Sequence, residues 1–112
     1  DTEAYVRRYA EDDKARTGLG AGADAWSVPY WWVDGGAAVM AMLLAATSAG
    51  LGSLLFGVFG NESSVATTFG IPGDRRILGA VALGWPDGDD RPSASAGRRR
   101  PTPREFIRRG GW

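Results

Sequence analysis

Residues 35–60 read GGAAVMAMLLAATSAGLGSLLFGVFG, 26 consecutive positions without a charge. The decamer at 37–46 is unbroken apolar and rich in Ala, Leu and Met, all strong helix formers. It predicts a helix over 34–49, apolar all round and therefore buried on every side. Gly50-Leu51-Gly52 stops that helix. The Ser-Leu-Leu-Phe-Gly-Val-Phe run at 53–59 then reads as a buried strand. Taken as one span, the stretch has the length to cross a membrane, with Tyr30-Trp31-Trp32 as an interfacial belt. The glycine stop leaves only about 15 helical residues, short of a span, so a core helix followed by a core strand is the better reading.

Upstream, Pro29 forces an extended approach and Asp34 is the expected N-cap of the long helix. Residues 3–10, with Thr2 as N-cap and Tyr5 and Tyr9 four apart, predict a short amphipathic helix. The glycines of 18–24 miss the dinucleotide spacing and follow no strand, so this segment reads as a linker. Downstream, Asn61 caps a helix that Gly70 ends, and Ile71-Pro72-Gly73-Asp74 has Pro and Gly in type II order. Asn61-Glu62-Ser63 also matches a glycosylation sequon, but no signal peptide or cysteine indicates secretion, and the capping role is preferred. Residues 76–84 predict a second strand, continuous in its apolar run and so covered on both faces. After Trp85-Pro86 come an acidic turn at 87–90 and an exposed arm at 91–101. Thr102-Pro103-Arg104-Glu105 is a capping box that opens a helix over 103–109, closed by Gly110.

Composition narrows the chemistry. The 112 residues make one domain at most, with 12 aromatic side chains, no Cys and no His. Thiolate nucleophiles, cysteine-based metal sites and Ser-His-Asp catalysis are excluded. What remains are carboxylates, arginines, one lysine, hydroxyls and backbone amides, a set better suited to holding a cofactor than to acid–base work near neutral pH. Net charge is zero, yet residues 91–112 hold seven arginines against Glu105 alone. An anion is expected there. Arg98 and Arg100, alternating on an extended arm, are placed for phosphate capture; a solvated tail and nucleic-acid contact are the other readings. Gly57 inside a buried strand marks close approach of the backbone to something flat or large, a ring system being one candidate, or else a bulge or tight helix–strand packing.

Six stretches then fall in order: Pro29-Tyr30-Trp31-Trp32-Val33-Asp34-Gly35-Gly36-Ala37-Ala38, Leu43-Leu44-Ala45-Ala46, Gly50-Leu51-Gly52, Gly70-Ile71-Pro72, Leu83-Gly84-Trp85-Pro86 and Arg98-x-Arg100-Pro101. Together, over about 26–112, they resemble the C-terminal half of the FMN-dependent nitroreductase family. The resemblance implies an α+β fold, a mixed and mostly antiparallel sheet with flanking helices, of which this chain is the C-terminal portion. It implies that FMN takes a hydride from NAD(P)H and passes electrons to a nitroaromatic, quinone or similar small aromatic acceptor. Dehalogenation and azoline oxidation are other chemistries of the same family, and a membrane-associated protein built on 35–60 is the reading outside it.

By the same resemblance Leu55, Phe56, Gly57 and Val58 lie against the isoalloxazine, with backbone N–H groups near its N5 and O4. Val58 departs from the pattern, which often has glycine there. Arg98 and Arg100 match the basic-x-Arg that holds the FMN phosphate, although a triplet of arginines leaves the register open by one. No catalytic side chain and no metal ligand is named. The family's N-terminal Arg-Ser-x-Arg segment has no counterpart, so the expected partners are the missing N-terminal half of the domain and a second copy of the chain. Neither nucleic acid nor membrane is expected, and the expected compartment is the cytoplasm.

Overall fold

The computed structural model describes residues 1–89 and 92–111. Asp90 of the acidic turn, Arg91 at the start of the arm, and Trp112 lie outside the described residues. Six elements run in the order α1 (Thr2–Tyr9), α2 (Tyr30–Ser48), β1 (Gly52–Phe56), α3 (Glu62–Phe69), β2 (Ala80–Gly84) and α4 (Pro103–Phe106). The order of helices and strands matches the sequence reading. Several boundaries do not.

α1 begins one residue earlier than expected, because Asp1 and not Thr2 is the cap: its Oδ1 accepts from the amide of Ala4 at 2.9 Å. A carboxylate there also meets the helix dipole, and Oδ2 reaches the guanidinium of Arg75 at 2.9 Å, tying α1 to the loop before β2. The supposed linker is ordered into 3₁₀ turns at Ala15–Thr17, Leu19–Ala21 and Ala23–Ala25. They wrap Trp26, whose Nε1 donates to the Leu19 carbonyl at 3.0 Å. Around this indole stand Tyr9 at 4.6 Å between ring centroids, Trp31 at 5.8 Å and Tyr5 at 5.9 Å, all edge-on. Trp26 and Ala46 are the buried apolar residues among those described.

α2 starts at Tyr30, four residues before the expected cap. Proline restrains the residue before it and leaves those after it free to turn, so Pro29 ends the extended segment instead of prolonging it. Asp34 sits inside the helix and accepts the Tyr5 hydroxyl proton at 2.8 Å. The helix ends as read: Gly50 is left-handed at φ 74°, its amide bonds Thr47 and that of Leu51 bonds Ala46. Gly70 closes α3 the same way, with Ile71 N–H on the Ala66 carbonyl. Asn61 does precede α3, but without a side-chain capping bond. The turn after it is not type II, since Gly73 has no positive φ; Arg75 N–H bonds the Pro72 carbonyl instead.

β1 and β2 pair antiparallel, Gly52 opposite Gly84 through Phe56 opposite Ala80, and α2 packs on β1. Both strands are shorter than read, and the burial expected for them is absent. β1 is exposed along its length, and α2 buries only Ala46. The apolar runs are real, but among the described residues little beyond the α2–β1 contact covers them. No helix among the described residues is long and apolar enough to cross a membrane.

Candidate functional site

The ladder ends at Phe56, so Gly57 and Val58 lie just beyond β1 and not within the strand. Leu55 and Phe56 are exposed at 45% and 47%, whereas Gly57 and Val58 are half-buried. Among the described residues, no acceptor takes the N–H of Gly57 or of Val58. Both amides are thus left as available donors just past the end of the ladder. The strand end therefore presents a ledge: two apolar side chains, then two free donors.

Phe59 follows at φ 40°, the one described non-glycine residue with positive φ. Its ring lies over Gly57, where a Cβ would meet Phe59 Cζ at 2.7 Å and Cε2 at 2.9 Å. Gly57 is thus approached closely by the side chain of its own near neighbour. The shallow depression lined by Gly52, Leu54, Leu83 and Trp85 is at the far end of the ladder from this ledge.

The arm carries the second group of candidates. A turn at 93–98, with Ala96 N–H on Ser93 and Arg98 N–H on Ser95, leads into the arginine triplet. The capping box forms as read. Glu105 Oε2 accepts from the Thr102 amide at 2.7 Å and the Thr102 hydroxyl at 3.0 Å, and the Glu105 amide donates back to Thr102 Oγ1. Its other oxygen takes the guanidinium of Arg99. The Thr102 amide first, then Arg99, hold the Glu105 carboxyl below the usual carboxylate range. Arg99 is committed inside the arm, while Arg98 and Arg100 make no ion pair among the described residues. The helix is shorter than read, ending at Phe106 because Ile107 is extended.

The structure does not join the two groups. No hydrogen bond or ion pair among the described residues links 92–111 to the rest of the chain, so Arg98 and Arg100 are not held near Gly57 here. Two features escaped the sequence reading. Tyr5–Asp34 spans 29 positions and leaves no local signature. The left-handed Phe59 carries no signal in residue type, since phenylalanine rarely adopts that backbone.

Comparison with known proteins bears on all of this. No curated protein and no solved structure matches the chain. The family model of the nitroreductase family matches residues 6–85, which take in the second half of α1, the aromatic cluster apart from Tyr5, α2, both strands and the ledge, and stop short of the arm. With most of its length matched, the chain belongs to the nitroreductase family.

Proposed function

We propose that the chain forms part of an FMN-dependent NAD(P)H oxidoreductase that reduces nitroaromatics, quinones or similar acceptors. The family is one of flavin-dependent oxidoreductases. The observation that carries the finer reading is the pair of unpaired amides at Gly57 and Val58. Flavin, when bound, supplies the hydride acceptance and electron delivery that no side chain of this sequence provides. Backbone N–H donors are suited to the ring edge where reduction places negative charge, because they are fixed in place and need no side-chain reorganisation. Leu55 and Phe56 alternate across the strand, so one of the two side chains would offer apolar contact to the ring, and Val58 would narrow the space beside it.

Arg98 and Arg100 would take the phosphate. A dianionic group favours planar, bidentate guanidinium donors. Glu105 holds Arg99, which favours the outer two arginines of the triplet for that role. The exposed face of α2 is read as the contact with a second copy of the chain, and the exposed strands as the surface completed by an N-terminal half of the same domain. These partners would bring arm and ledge to one flavin.

The test is a titration of the purified protein with FMN, followed by flavin fluorescence. Saturable quenching that weakens about tenfold or more on Arg98→Ala/Arg100→Ala, with Arg99→Ala much less affected, supports the reading. A protein that leaves FMN fluorescence unchanged contradicts it.

A further inference from the structure

Phe59 combines three unfavourable features. Its backbone is left-handed, a conformation that costs a bulky side chain and persists only where something returns the cost. Its side chain is apolar and 83% exposed, so burial within this chain returns nothing. Its ring stands over Gly57, which holds one of the two unpaired amides. Asparagine or glycine would sit at this φ with less strain. A strained, exposed aromatic ring beside free donors is what a planar heteroaromatic ligand would need: hydrogen bonds at its edge and an aromatic surface to fix its tilt.

We infer that Phe59 is a positioning residue for the flavin, its ring forming the aromatic wall of the Gly57–Val58 ledge. The assignment rests on the flavin reading above. Gly57 is part of the same device, since any side chain there would displace the Phe59 ring. The residue exchanges no proton or electron. It sets the angle at which a ring hydrogen-bonded to the two amides lies on the protein.

Two variants separate this role from a merely structural one. Phe59→Asn tolerates the left-handed backbone and removes the ring. It should melt no lower than the parent while its FMN affinity falls about tenfold. Phe59→Trp keeps an aromatic wall, so affinity should stay within about threefold. Bound flavin should then be dimmer than in the parent, because an indole in contact with the ring quenches its emission. Phe59→Asn binding FMN as tightly as the parent overturns the assignment, as does Phe59→Trp with undimmed flavin. Unchanged FMN affinity with weakened self-association also overturns it and gives the ring to a protein interface. A parent protein that takes up no FMN removes the flavin reading itself, and this assignment with it.

Discussion

A carboxylate that accepts at once from an amide, a hydroxyl and a guanidinium is hard to protonate, and Glu105 is so placed. Its folded-state value lies below the ordinary 4.5, so the stabilisation of the arm is present above that pH and is lost as pH falls through the depressed value. An NMR titration of the Glu105 side chain should show its midpoint below 4.5, moving up toward it in Arg99→Ala. Gly57→Ala belongs to the same scale. The added methyl would meet the Phe59 ring at 2.7 Å. FMN affinity is therefore expected to drop by about tenfold, measured by the same fluorescence titration. At this scale the sequence was legible where partners are neighbours. Thr102 and Glu105 sit three apart and their capping box could be read, whereas Asp34 was assigned to a cap because its partner, Tyr5, comes from another helix.

Element ends were legible where glycine sets them. Gly50 and Gly70 stop α2 and α3 where read, since the left-handed cap is a local demand. The start of β2 was not legible, because Gly79 lies against the Phe56 carbonyl and the ladder begins only after it. A Cβ at Gly79 would stand 2.7 Å from that oxygen, with φ at +157°. Gly79→Ala should accordingly destabilise the protein by about 1–3 kcal/mol, read as a lower denaturant midpoint. The face of α2 offers a second test. Leu44 is 61% exposed, and Met40, one turn earlier on the same face, is exposed with it. If that face is an interface between copies, Leu44→Glu should shift the protein toward monomer in sedimentation velocity while leaving α2 helical.

The whole chain is far more open than its length requires. Its radius of gyration is 19.1 Å, against about 13 Å for a folded domain of this size. It exposes 9397 Å², where a compact monomer of 11.9 kDa would show about 6,000 Å². A two-stranded sheet that stays largely exposed, with α2 against β1, is marginal in water. The apolar runs at 37–46 and 53–59 were read as buried on composition. The chain leaves most of them exposed, and the packing that decides burial is not written in composition. The same openness separates the arm from the ledge. Assembled protein is therefore expected to hold flavin. The direct measurement is a visible absorption spectrum of the purified protein beside the intact mass of every polypeptide present. A flavin spectrum, released as FMN and accompanied by a second copy or an additional N-terminal polypeptide, is the predicted result. Colourless protein that takes up no added FMN would contradict it.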